Sequence, residues 1–319
     1  MPFPYIHETK IIDNALRNSM EGDFVLLPSG YTHFEISNNF TTESTEHTEL
    51  ENEKEKKLSG LSELRGKSIE TVVLVHGFSV PMFIWDPTFR FLTEQGYRVL
   101  RFDLFGRGYS DRPKAAYDLD FFTTQLHDFL DALSITEPIN LFGLSMGGPI
   151  TATFTARYPA RVKKLALIDP AGGADIPRSL TLKLMEMPLL GELLMGLFGR
   201  KTLIKGIAAD FYDQEQIAHF TSQFMPQLDY QGFLRAILQT LRNDALRNSL
   251  PTYRKVGELD IPKLLVWGRD DQTTPYAHSS QMVASLPHVR FETIENSGHI
   301  PHYEDADQVN PIILDFLKN

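Results

Sequence analysis

Six short runs of aliphatic and β-branched residues recur along the chain: "TVVLVHGF" (71–78), "GYRVLRFDL" (96–104), "PINLFGLS" (138–145), "VKKLALIDP" (162–170), "PKLLVWGRD" (262–270) and "VRFETIEN" (289–296). Their centres are nearly continuous in apolar side chains rather than alternating, the pattern of strands covered on both faces. Helical patterns lie between them. "DFFTTQLHDFLDAL" puts Phe122, Leu126, Phe129, Leu130 and Leu133 on one face, "GPITATFTARYP" follows the third run, and "VNPIILDFL" closes the chain. Strand alternating with helix predicts an α/β fold: a mostly parallel central sheet flanked by helices and joined by right-handed crossovers.

Two segments break the alternation. Residues 41–68, "TTESTEHTELENEKEKKLSGLSELRGKS", are polar and charge-dense, and read as a mobile surface insertion. Residues 171–258 hold helix-like patterns such as "LTLKLMEMPLLGELLMGLFG" (180–199) and "FLRAILQTLRNDAL" (233–246), without a convincing strand. The expected division is therefore a core over 1–170, a helical insertion over 171–258, and the rest of the core over 259–319.

Composition narrows the partners. With 31 Lys and Arg against 41 Asp and Glu, the net charge is −10, which speaks against a nucleic-acid footprint and gives no pull toward anionic membranes. The absence of cysteine removes disulfides, thiolate catalysis and Cys-ligated metals. The start "MPFPYIHETKIIDNALRNSM" lacks a basic segment followed by an apolar core, and no apolar run reaches the ~18 residues of a membrane span. A cytoplasmic protein is the expectation, although a secreted form with its signal removed would look the same. Nothing in the sequence indicates an oligomeric state.

The third run ends in "GLSMGG", a G-x-S-x-G pentapeptide between a predicted strand and a predicted helix. Side chains at 143 and 147 would collide with neighbouring backbone in so tight a turn, so both are glycine. The turn projects the Ser145 hydroxyl, and the helix that follows offers free N–H groups and a positive dipole end. A serine nucleophile needs a base. Of ten histidines, His299 in "ENSGHIPHYED" stands out because it follows the last predicted strand in a Ser-Gly turn, with His302 as its rival. An acid must orient that imidazole. "VWGRDDQTTP" supplies Asp270 and Asp271 just after a strand, and Asp169 in "LALIDP" is the runner-up. Oxyanion donors are expected at the backbone N–H groups of Phe78, after "LVHG", and of Met146. The His76 side chain is expected to be structural.

Taken together, these residues resemble the α/β-hydrolase superfamily. The likeness covers about 71–170 and 259–319, with a helical cap at 171–258. HGF at 76–78 is similar to the family's oxyanion motif. "RFDLFGRGYSDRP" is similar to its D-x-x-G-x-G-x-S segment, whose Asp103, Gly106, Gly108 and Ser110 the resemblance makes structural. "WGRDDQTTP" is similar to G-x-x-D-x-x-x-P with Gly268, Asp271 and Pro275 in register, which selects Asp271 over Asp270. "SGHIPHYED" matches the histidine motif with His299 as base. Capped relatives include carboxylesterases, monoacylglycerol-lipase-like enzymes, meta-cleavage C–C hydrolases, haloperoxidase-like perhydrolases, epoxide hydrolases and haloalkane dehalogenases. The last two carry Asp at the nucleophile, where this chain has Ser145.

The resemblance therefore implies a serine hydrolase with the triad Ser145, Asp271 and His299, acting on carboxylic esters through an acyl-enzyme. C–C hydrolysis, perhydrolysis and a ligand receptor on the same fold are the alternatives. No metal or organic cofactor is implied. The Leu- and Met-rich stretch at 185–198 is expected to contribute an apolar substrate wall, with Met187, Leu190 and Leu194 as candidates. The expected partner is a small-molecule ester with an apolar acyl or aryl group.

Overall fold

The computed structural model describes residues 5–37, 69–174 and 180–319; the insertion expected at 41–68 lies outside them. The described strands form one eight-stranded sheet: β1 (Asp23–Leu27), β2 (Gly30–Ile36), β3 (Thr71–Val75), β4 (Arg98–Phe102), β5 (Ile139–Leu144), β6 (Val162–Ile168), β7 (Lys263–Gly268) and β8 (Arg290–Ile294). Their order is β1-β2-β4-β3-β5-β6-β7-β8. β1 and β2 form an antiparallel hairpin, and β2 meets β4 antiparallel. The remaining pairs are parallel, and those parallel strands are the six runs legible in the sequence.

Why these runs form the interior is visible in their burial. Every residue of β3, β5 and β7 is buried. Successive side chains serve opposite faces: Val73, Val75, Leu165 and Leu167 enter one core, and Val72, Leu74, Ala166 and Ile168 enter the other. Helices cover both faces, which is why these strands read as continuous apolar runs.

Helix α1 (Asn14–Arg17) precedes the hairpin, and α2 (Asp86–Glu94), α3 (Leu119–Ala132) and α4 (Gly147–Arg157) connect successive strands from β3 to β6. Asp118 caps α3 by accepting from the Phe121 N–H at 2.8 Å, and Phe122, Leu126, Phe129 and Leu130 are buried on its inner side. Between β6 and β7 lie α5 (Leu180–Glu186), α6 (Leu190–Leu194), α7 (Arg200–Asp210), α8 (Ile217–Phe224), α9 (Phe233–Arg242) and α10 (Leu250–Gly257), with no strand among the described residues. Helix α11 (Ser279–Ser285) joins β7 to β8, and α12 (Pro301–Glu304) and α13 (Ala306–Lys318) end the chain. No helix among the described residues is long and apolar enough to cross a membrane.

Candidate active site

Five strand ends converge on one edge of the sheet. β3 leads into His76–Phe78, β5 into Ser145, β6 into Asp169, β7 into Asp271 and β8 into His299. These are carboxyl ends of parallel strands, around the point where β3 has β4 on one side and β5 on the other. Open α/β sheets form a crevice at such a point.

Ser145 sits between β5 and α4 with φ +51°, a conformation that L-residues adopt at a cost. Three backbone bonds hold it there. Its N–H donates to Ile168 O at 3.0 Å, and its carbonyl accepts from Gly148 N and Ala171 N, each at 2.9 Å. The flanking glycines are needed for close approach. A Cβ on Gly143 would lie 2.4 Å from Gly147 O, and one on Gly147 would lie 2.3 Å from Val75 O. Gly77 brings backbone against Ser145, since a Cβ there would be 3.1 Å from Ser145 Cβ. The N–H groups of Phe78 and Met146 donate to no other group among the described residues, so both remain available to a ligand oxygen.

His299 and Asp271 form a buried pair, with Nδ1 and Oδ2 2.8 Å apart. Asp271 is fixed by its own turn. Its Oδ1 accepts from Thr273 N at 2.8 Å and Thr274 N at 2.9 Å, and its Oδ2 accepts from Thr274 Oγ1 at 2.6 Å. Burial disfavours the charged forms of both partners, but their mutual attraction wins: the His299 pKa is raised and the Asp271 pKa lowered from their usual values. Asp271 occupies Nδ1 and leaves Nε2 free of that bond. Ser145 and His299 line one cavity, although no direct hydrogen bond joins their side chains among the described residues. Such contacts are often loose before substrate arrives. Asp270 is exposed and outside this cluster.

Asp169 adjoins the pair. It has φ +40°, is fully buried, and accepts from Gly268 N at 2.9 Å through Oδ1, while Oδ2 has no partner. One ligand-capable atom each of Asp169, Asp271 and His299 lie within 4.8 Å of one another. Burial, reinforced by the Asp271 charge, raises the Asp169 carboxyl well above the usual carboxylate range.

The other histidines separate clearly. His302 is buried against Trp85, ring centroids 4.3 Å apart, and burial pushes its imidazole down to about 3. His76 donates from Nδ1 to Gly77 O at 3.0 Å and accepts from Leu104 N at 2.9 Å through Nε2, with burial lowering it to about 4. It bonds backbone as expected.

Residues 70–306 match the family model of the alpha/beta hydrolase fold. The chain belongs to this family. It is 32% identical to a 2-hydroxy-6-oxononadienedioate/2-hydroxy-6-oxononatrienedioate hydrolase of Paraburkholderia phymatum, over 86% of this chain and 99% of that one. It is 28% identical to Lipase 1 of Psychrobacter immobilis, over 75% of this chain and 74% of that one. Among solved structures, the enol-lactonase from Burkholderia xenovorans LB400 superposes with a TM-score of 0.72 at 18% identity, covering 93% of this chain and 100% of that one, which speaks to the fold.

Within this alpha/beta hydrolase the D-x-x-G-x-G-x-S segment is a bracing element. Asp103 Oδ1 accepts from Met82 N at 2.9 Å, and Oδ2 accepts from Tyr109 N at 2.9 Å and pairs with His33 Nδ1 at 2.7 Å. Burial opposes the Asp103 charge, yet the His33 bond and charge hold its carboxyl down at about 2. Ser110 Oγ donates to Asp103 O at 2.6 Å. Gly108 adopts φ +49°, and a Cβ there would lie 1.9 Å from Asp103 Oδ2.

The cavity at Ser145 has a volume of about 320 Å³. The core contributes Phe78, Val80, Ile84 and Ile300 among others, and α7 contributes Thr202, Leu203, Gly206, Ile207, Ala209 and Asp210. Met187, Leu190 and Leu194 do not line it. Met187 sits exposed in the turn after α5, and Leu190 and Leu194 are half-buried on α6. The wall from the insertion belongs to the next helix along, α7.

Two polar residues escaped sequence reasoning. Asp210 lines the cavity. Arg107 is fully buried and donates to Phe78 O at 2.7 Å, Phe105 O at 3.3 Å and Thr240 Oγ1 on α9 at 2.8 Å. Burial lowers its pKa to about 9. It ties the Phe78 loop to the helical insertion.

Proposed function

We propose that this chain is a serine hydrolase of neutral carboxylic esters, working through an acyl-enzyme on Ser145 under a cap formed by residues 171–258. As Ser145 Oγ attacks the ester carbonyl, its proton passes to His299 Nε2. Asp271 keeps the other nitrogen as Nδ1–H and stabilises the imidazolium. The carbonyl π pair moves onto oxygen, which the Phe78 and Met146 N–H groups receive; such a donor contributes about 3 kcal/mol to the transition state. Collapse expels the alkoxide, which takes the His299 proton. Water, deprotonated by the same imidazole, then releases the acid and restores Ser145.

The observation that carries the ester reading is the lining of the cavity. Among the described residues its lining is predominantly apolar and contains no Arg or Lys, and its charged groups are Asp210 and the imidazole of His299. The Paraburkholderia phymatum relative is named for dioates, molecules with two carboxylates. A site for dioates needs cations or convergent donors facing them. C–C hydrolysis on the same triad is the second reading, and that relative's 32% identity favours it.

The test is turnover of 4-nitrophenyl esters from acetyl to palmitoyl by the parent and by Ser145→Ala. Ester hydrolysis that the variant lacks is expected, with a chain-length optimum set by the cavity. An inert parent would overturn the ester reading.

A further inference from the structure

Two helix ends give the cavity opposite electrostatic poles. At Ser145 the N-terminus of α4 presents free N–H groups and the positive end of its dipole. The C-terminus of α7 also lines the cavity, with no basic residue in its last turn. That helix ends on Asp210, whose half-buried side chain lines the cavity with Ser145 and His299. A carboxylate at a helix C-terminus opposes the dipole and would ordinarily be avoided.

The position is held firmly. Asp210 O accepts the His299 N–H at 2.8 Å, and a Cβ on Gly298 would meet that same oxygen at 2.4 Å, so the histidine loop carries glycine where α7 docks. Thr273 Oγ1 donates to Asp210 Oδ1 at 2.6 Å.

We propose that Asp210 is a specificity-determining residue of this site, a charge filter that rejects substrates bearing a carboxylate at the α7 end of the cavity. The filter rests on the ester-hydrolase reading and names its substrate class: esters whose buried acyl chain is neutral. Like charges brought together in a partly desolvated pocket repel strongly, whereas an apolar chain meets no such penalty. The charged groups facing Asp210 are His299 and Asp271, on the loops after β8 and β7. Burial, ahead of the opposing pull of His299 and the Thr273 bond, raises the Asp210 carboxyl above the usual range.

The experiment compares kcat/KM for 4-nitrophenyl hexanoate and for the mono-4-nitrophenyl ester of adipic acid, a pair of equal chain length that differs by a terminal carboxylate. In the parent, kcat/KM for the adipate ester is expected to fall well below that for the hexanoate ester near pH 8, where the adipate carboxylate is ionised. In Asp210→Asn the adipate-to-hexanoate ratio is expected to rise by at least about tenfold, while Asp210→Glu keeps the parent's preference. A ratio unmoved by Asp210→Asn, or moved as far by Asp210→Glu, would overturn the filter. If the parent hydrolyses neither ester, the ester reading fails separately. The filter is then read from the labelling rates of Ser145 by a neutral alkyl fluorophosphonate and by its ω-carboxylate twin, with the same ratios deciding it.

Discussion

Asp169 is a carboxyl placed where water does not reach it, beside a second carboxylate. Burial and then Asp271 raise its pKa, so the native state keeps a proton that the unfolded chain releases near the ordinary value of about 3.9. Between those two values the folded form binds more protons, and stability falls as pH rises. Asp169→Asn cannot lose that proton and can still accept from Gly268. Its thermal stability relative to the parent is expected to improve as pH rises above the ordinary carboxylate range, measured as Tm in one buffer series. A difference independent of pH would show that Asp169 does not titrate in this way. For the pair beside it, Asp271→Asn is expected to lower kcat by about four orders of magnitude. Because Asp271 raises the His299 pKa, the acid limb of kcat/KM should also move to lower pH in that variant. These two residues were legible because each sits at a fixed offset in a turn after a strand. The His33–Asp103 pair was not, because its members are 70 residues apart and leave no local pattern.

The strand-turn-helix elements were readable for a steric reason. Gly143 and Gly147 have no room for a side chain, and glycine pairs around a serine record that crowding in the sequence itself. Gly147→Ala would set a Cβ 2.3 Å from Val75 O and force α4 away from β3. The expected cost is about 1–3 kcal/mol in urea unfolding, with a fall in kcat as Met146 N–H leaves its position. The insertion was only half legible. Leu and Met at helical spacing show that helices pack there, but apolarity does not say which helix turns toward Ser145. The α7 wall mixes large and small residues, Leu203 and Ile207 with Gly206 and Ala209, so side-chain size does not mark it in the sequence either. Arg107 shows how that insertion is coupled to the core. Arg107→Lys loses the planar fork that reaches both Phe78 O and Thr240, so kcat/KM for esters should drop about tenfold with a stability loss of about 1–3 kcal/mol. Unchanged ester kinetics in a folded Arg107→Lys would separate this tie from catalysis.

For the whole molecule, the family follows from continuity: one alternating pattern of buried strands and covering helices, with five strand ends brought to one edge. Substrate class does not follow from that pattern, because the fold holds the same nucleophile, base and acid for different bonds. What separates the readings is the charge lining the cavity, and among the described residues it is negative or absent apart from the His299 imidazole. The net charge of −10 over the chain adds no attraction for an anionic substrate. The decisive measurement is a direct competition: kcat/KM for a neutral 4-nitrophenyl ester and for a 2-hydroxy-6-oxo-dienedioate, determined on the same preparation beside Ser145→Ala. Ser145-dependent turnover of the ester is expected to be at least about a hundredfold more efficient than cleavage of the dioate. Efficient, Ser145-dependent cleavage of the dioate with poor ester turnover would contradict it.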